Sequence, residues 1–226
     1  MMKKYVTKEY EITNGYQTIE IYAKDAKIKI EPSKENATKL VLFQKERRPY
    51  EFLVQNNTLT IQPTKTKWYQ FLRMGIDHSE IKLLVPNSAV EALSVKANVG
   101  RVDIHEFVCN GTMAVQANTG EITLASVSCK GLALKGNTGC VSLNHCKGEE
   151  GIAIQQNTGK VLLNQCFAPK ISVKTNTGKV QGKLPHNMVF NVRTTTGKIQ
   201  VPQPPVGETV VGRCEIKTNT GNITFE

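Results

Sequence analysis

The sequence predicts an all-β fold: a right-handed parallel β-helix of 19–20-residue coils, closed at its N-terminal end by an antiparallel β cap. Three observations predict it. A Gly-centred triplet recurs at near-constant spacing, apolar residues alternate on both sides of each copy, and 17 Gly and 9 Pro with few aromatics suit many short strands joined by turns.

The triplets are Asn98-Val99-Gly100, Asn118-Thr119-Gly120, Asn137-Thr138-Gly139, Asn157-Thr158-Gly159, Asn176-Thr177-Gly178, Thr195-Thr196-Gly197 and Asn219-Thr220-Gly221, with glycines 20, 19, 20, 19, 19 and 24 residues apart. Five residues before each Gly stand Val95, Val115, Leu134, Ile154, Val173, Val192 and Ile216; two after it stand Val102, Ile122, Val141, Val161, Val180, Ile199 and Ile223. Period-two alternation on both flanks marks strands with one buried face. Equivalent strands every 19–20 residues leave room for the wide return that parallel pairing requires. Each coil is therefore expected to stack on the one before it, with about seven coils over residues 91–226, wound right-handed like most parallel crossovers. Gly supplies the positive φ of a sharp corner and Asn bonds at turns, so stacked copies predict an amide ladder. A leucine-rich repeat is disfavoured because a second alternating strand follows the triplet at once.

Residues 1–90 lack the triplet but alternate at Ile19-Glu20-Ile21 and Ala26-Lys27-Ile28-Lys29-Ile30, which reads as an opening coil. Leu40–Phe43, Phe52–Val54 and Leu59–Ile61 read as cap strands, the last two joined at Asn56-Asn57. Trp68, Tyr69 and Phe71 form the one aromatic cluster, a plug for the core or a partner contact. The chain stops at Glu226 directly after an apolar pair. An open edge is expected there, blunted by the Pro202–Gly207 insertion or met by a second copy in a homodimer.

No run approaches the roughly 20 apolar residues of a membrane span, and Met1–Thr13 lacks a signal-like core. The sequence as it stands reads as cytoplasmic; envelope association is the alternative if a leader or anchor has been replaced. Six cysteines without CxxC spacing suit buried thiols in a reducing compartment.

In the order Ala26-Lys27-Ile28-Lys29-Ile30-Glu31-Pro32-Ser33, Leu59-Thr60-Ile61, Lys67-Trp68-Tyr69, Ile81-Lys82-Leu83-Leu84-Val85-Pro86 and the serial Thr-Gly turns, the chain resembles the bacterial "putative adhesin" domain, a β-strand-repeat family also found in Lia-type envelope-stress proteins. The resemblance implies a right-handed β-helix and an envelope or surface role, with no catalytic residues to transfer.

Three aspartates, Asp25, Asp77 and Asp103, occupy unrelated repeat positions, and Glu149-Glu150 is the one acidic pair of the solenoid. Glycoside hydrolysis needs two carboxylates across a bond and calcium-assisted elimination a cluster of them, so a non-catalytic binding or scaffold protein is expected, with a carbohydrate-active lyase or hydrolase as the alternative. Cys109, Cys129, Cys146 and Cys166 are expected to align as one internal ladder without the paired spacing of a zinc site, so no metal or cofactor is expected. The net charge of +10 divides evenly between residues 1–90 and 91–226. Outward columns beside the corner carry Lys96, Lys135, Lys174, Arg193 and Lys217 four residues before the Gly, and Lys160, Lys179 and Lys198 just after it. They form a candidate edge for an anionic polymer or surface. Nucleic acid is disfavoured because the solenoid offers few aromatics for base stacking. Six residues before the Gly stand Ser94, Ala114, Ala133, Ala153, Ser172, Asn191 and Glu215, a row of mostly small residues on which another part of the chain or a second molecule could pack.

Overall fold

The computed structural model of the chain describes residues 5–13, 15–46, 49–64, 78–86, 90–203, 207 and 209–226; the aromatic cluster of Trp68, Tyr69 and Phe71 lies outside them. Alternation in the repeats yields four long strands, β7 (Ala92–His105), β8 (Thr112–Ala125), β9 (Ser128–Asn144) and β10 (Lys147–Asn164). They stack in parallel, so that Val95, Val115, Leu134 and Ile154 form one buried ladder and Val102, Ile122, Val141 and Val161 another. Each strand bends at its triplet Gly, where φ is 135–141° over these four rungs. A Cβ on Gly139 would lie 1.7 Å from the Gly120 carbonyl oxygen, so the corner excludes every side chain.

A second corner has no such marker. Glu106, Ser126, His145 and Gln165 hold φ between 49° and 56°, four residue types in one left-handed column. Behind it a short third side turns Phe107, Val127, Cys146 and Cys166 inward, all buried, and is tied by Ser128 N to Phe107 O at 3.0 Å and Phe167 N to Cys146 O at 2.9 Å.

At the C-terminal end the order of rungs departs from the order of the sequence. The next coils are β11 (Lys170–Thr177) with β12 (Val180–Lys183), β13 (Met188–Thr196) with β14 (Ile199–Gln200), and β15 (Gly212–Thr220) with β16 (Ile223–Phe225). Serial stacking would pair β11 with β13. Instead β15 lies between them, parallel to both, with Val173 beside Ile216 and Ile216 beside Val192. The expectation of an open edge at the last coil is therefore corrected: the edge rung is β13/β14, and the final coil is interior. The long interval between Gly197 and Gly221 supplies the chain that returns across one rung.

The N-terminal end repeats this device. The opening coil is β2 (Thr18–Pro32), and on its outer side lie β5 (Thr58–Pro63) and β6 (Ser79–Val85), both parallel to it, while β7 covers its inner side. With the seven Gly-cornered coils, β2 and the β5/β6 pair make nine rungs in one sheet. The cap is antiparallel, as expected: β3 (Thr38–Lys45) pairs with β6, β1 (Tyr5–Ile12) with β3, and β4 (Tyr50–Gln55) with β5. Asn56 and Asn57 close the last hairpin with φ of 50° and 58°, the positive pair that a tight two-residue turn demands. Among the described residues no helix is present, and none long and apolar enough to cross a membrane.

Candidate functional site

The triplet corner is built as a polar ridge. Asn118 Nδ2 donates to Asn98 Oδ1 at 3.1 Å, Asn137 to Asn118 at 3.1 Å, and Asn157 to Asn137 at 2.9 Å. The ladder then skips in sequence: Asn219 donates to Asn176 at 2.6 Å across 43 residues. Thr119, Thr138, Thr158 and Thr177 stand exposed at the apex.

Register places the basic columns on either side of this ridge. Before the corner the spatial order is Tyr22, Lys96, Gln116, Lys135, Gln155, Lys174, Lys217, Arg193. Intercalation of the last coil thus brings Lys174, Lys217 and Arg193 onto three consecutive rungs. After the corner Lys160 and Lys179 are adjacent, and Asn222 separates Lys179 from Lys198. All of these cations are exposed.

Their electrostatic surroundings divide along the stack. Toward the N-terminal end, several cations have partners. Lys96 Nζ lies 5.4 Å from the Tyr22 ring centre. Arg101 Nε donates to the buried Asp103 at 2.6 Å and Arg101 Nη1 reaches Glu121 at 3.3 Å, which holds the guanidinium pKa above its ordinary value. Glu31 joins Lys29 and also Lys82 at 3.1 Å, and its pKa is held below the usual carboxylate value, first by the Lys29 hydrogen bond. Toward the other end, none of Lys135, Lys160, Lys174, Lys179, Arg193, Lys198 or Lys217 makes an ion pair with another described residue. Residues 151–226 hold nine Lys and Arg against three Glu, and of these Glu215 is engaged by Lys170 at 2.9 Å.

The small-residue face is open among the described residues: Ala114, Ala133 and Ala153 are exposed and floor a shallow trough of about 220 Å³ beside Lys96 and Lys135. A second depression of about 510 Å³ lies between Tyr22, Pro63 and Asn118. Among the described residues, neither is lined by a carboxylate, His or Cys. Glu149 and Glu150 are exposed, Glu149 lying 3.8 Å from Lys147.

The cysteines do not make the single expected file. Phe107, Val127, Cys146 and Cys166 share one inward column and Cys109, Cys129, Gly148 and Ala168 the next, because two successive inward positions of the third side recruit small residues on different rungs. All six are free thiols, and Cys140 is half-buried while the others are buried. Burial pushes Cys129 and Cys214 up to about 12, and the hydrogen bond shared with Cys146, together with burial, pushes Cys166 up. Thiols held protonated at neutral pH are poor nucleophiles and metal ligands. Among the described residues no group of three or more His, Cys, Asp or Glu is placed to hold a metal ion.

Sequence reasoning missed the polar lining under the ridge. Gln156 Nε2 donates to Gly139 O at 3.1 Å and Thr158 O at 2.8 Å, while Gln156 Oε1, Thr175 Oγ1 and Thr218 Oγ1 are buried without partners. The inward column there reads Ala97, Ala117, Gly136, Gln156, Thr175 and Thr218. Gly136 leaves room for the Gln156 amide, and that Gly beside a Gln one repeat later was the available signal.

No curated protein matches this sequence. Among solved structures, a "putative adhesin" from Bacteroides fragilis NCTC 9343 is similar with a TM-score of 0.64 and 16% identity, over 100% of this chain and 98% of that one. A "putative adhesin" from Parabacteroides distasonis ATCC 8503 gives a TM-score of 0.49 at 11% identity, over 96% and 97% of the two chains. A "putative lipid binding protein" from the same organism gives 0.46 at 15% identity, over 96% of each chain. At such identities the first likeness speaks to the fold alone. A family model matches residues 16–226, nearly all of the stack described above: the chain belongs to the Toastrack DUF4097 family.

Proposed function

We propose that this chain is a non-catalytic binding module, a right-handed β-solenoid whose Asn–Thr–Gly ridge and flanking cations hold an anionic polymer, with the bacterial cell envelope as the place where such polymers are met. One observation carries the reading. Lys135, Lys160, Lys174, Lys179, Arg193, Lys198 and Lys217 are exposed, run along the stack in two columns, and pair with no described carboxylate. Exposed charges of one sign repel each other, and a polyanion that binds them releases its condensed counterions to solution and gains affinity with each charge it meets. Glu149 and Glu150, adjacent and exposed, do not make the pair of carboxylates facing each other across a bond that glycoside hydrolysis needs, which supports a binding role over carbohydrate cleavage.

The test is salt-titrated binding to a teichoic-acid-like polymer. Binding is expected at low salt, weakening steeply as salt rises. Lys135→Glu, Lys174→Glu and Arg193→Glu together should reduce it at least about tenfold. No binding at low salt, or binding indifferent to the reversal, removes the proposal. Turnover of an oligosaccharide that is lost on replacing Glu149 or Glu150 would favour the enzymatic alternative instead.

A further inference from the structure

We infer that the cations are not equivalent, and that the last three rungs form a distinct docking site for a linear phosphate polymer, with Lys174, Lys217 and Arg193 as its contacts. The inference rests on the polyanion reading and narrows it to a place and a chemistry. Earlier along the same column, Lys96, Gln116, Lys135 and Gln155 alternate. Neighbouring cations there are two rungs, about 9.6 Å, apart, close to the distance over which salt screens exposed charges. Over Lys174, Lys217 and Arg193 the alternation stops and the separation falls to about 4.8 Å. Like charges directly opposite on paired strands are destabilising. Nothing described offsets this repulsion, since Glu215, which shares the face, is held by Lys170 at 2.9 Å.

The spacing bears on the ligand. A chain with one anionic charge on every short backbone unit, such as a polyphosphate, can meet cations about 4.8 Å apart. A sugar chain with one carboxylate per two rings spaces its charges more widely and matches the Lys96–Lys135 interval better. The cations run across the strands along the stacking direction, as a line rather than a patch, and Lys179 and Lys198 lie beyond the Gly bend on the adjoining face. A flat surface meets one of these sets; a flexible polymer passes along either. Phe190 and Phe225 pack on each other at 5.2 Å and offer no stacking platform.

The experiment uses the full chain, long-chain inorganic polyphosphate, and affinity measured across NaCl concentration. The triple variant Lys174→Gln, Lys217→Gln, Arg193→Gln is compared with Lys8→Gln, Lys34→Gln, Lys130→Gln, which removes the same charge from exposed positions off the ridge. The first triple should lower affinity at least about tenfold at low salt and flatten the log–log salt slope by about 2, while the second should change affinity less than about threefold. Lys217→Gln alone, the middle of the run, should flatten the slope by about 0.7 and serves if the triple does not fold. Equal losses in the two triples would overturn the site while leaving the general polyanion reading standing. Failure of the unaltered chain to bind polyphosphate or any other polyanion would overturn both. Tighter binding to polygalacturonate than to polyphosphate would overturn the phosphate assignment, and tighter binding to anionic phosphatidylglycerol vesicles would overturn the linear one.

Discussion

The two ends of the stack solve one topological problem and diverge in everything else. At each end the first or last coil in sequence, β2 or β15/β16, sits one rung inside the stack, covered by a coil that the chain reaches and then leaves. At the N-terminal end the covering rung β5/β6 is itself covered by antiparallel β3 and β4, and Lys29, Lys82 and Arg101 pair with carboxylates. At the C-terminal end no described strand lies beyond β13, Val192 is only half-buried, and the cations face one another. Parallel stacking therefore does not dictate how a solenoid ends. One end is capped and pairs Lys29, Lys82 and Arg101 with carboxylates, while the other keeps an edge and a run of cations unpaired among the described residues.

The largest effect separates the middle of the stack from its edge. Gly139→Ala places a Cβ against the Gly120 carbonyl between two fixed rungs, whereas at Gly197 the corresponding atom is the Gly221 oxygen at 2.1 Å and the rung has no described outer neighbour. Gly139→Ala should destabilise by about 3 kcal/mol or more and Gly197→Ala by clearly less, read from urea midpoints. Equal losses would mean that β13 is held as rigidly as the centre. Next comes the order of the rungs. Ile216 is fully buried between Val173 and Val192, so Ile216→Ala should cost about 2–5 kcal/mol, and Val192→Ala under half of that. The reverse ranking would restore serial stacking.

What the sequence made legible was local and repeated. The corner glycines, the apolar ladders, the Asn ladder and the Asn56-Asn57 turn each rest on a residue type that few others can replace at that φ or on that face. The order of the last coils was not legible, because Val173 finds an equally suitable apolar partner in Val192 or Ile216, and a parallel ladder accepts either. Only the stretched interval before Gly221 hinted at the return across a rung. The left-handed corner at Glu106, Ser126, His145 and Gln165 was hidden for the opposite reason: four unrelated side chains tolerate it, so no pattern forms. Of the site, the cations were legible as columns, but their contiguity at Lys174, Lys217 and Arg193 followed from the hidden order.

Charge substitutions should change stability with opposite sign at the two ends. Asp103 is buried and accepts from the half-exposed Arg101, with Lys27 3.9 Å away, so Asp103→Asn should cost about 1–2 kcal/mol by weakening a charge-assisted bond to a buried carboxylate. Lys217→Gln removes a charge lying between two others and should leave stability unchanged or raise it by a few tenths of a kcal/mol, an effect that high salt erases. A loss at Lys217 comparable to that at Asp103 would show that the C-terminal cations serve the fold.

The smallest effect is a pH dependence confined to the closed end. Glu31 is held below its usual pKa by Lys29 and Lys82, so the folded state binds its proton less readily than the unfolded chain does. Its contribution is therefore full above the ordinary carboxylate value near 4.5 and is lost as pH falls through the lower folded-state value. Glu31→Gln should cost less than about 1 kcal/mol at pH 7, since the pair is partly exposed, and the gap between variant and parent should close as pH drops below that range. Midpoints of urea unfolding between neutral and acid pH measure this directly. Parallel profiles, with the gap maintained at low pH, would mean that Glu31 acts through packing on its neighbours and that the charge balance of this end lies in the Arg101–Asp103 pair alone.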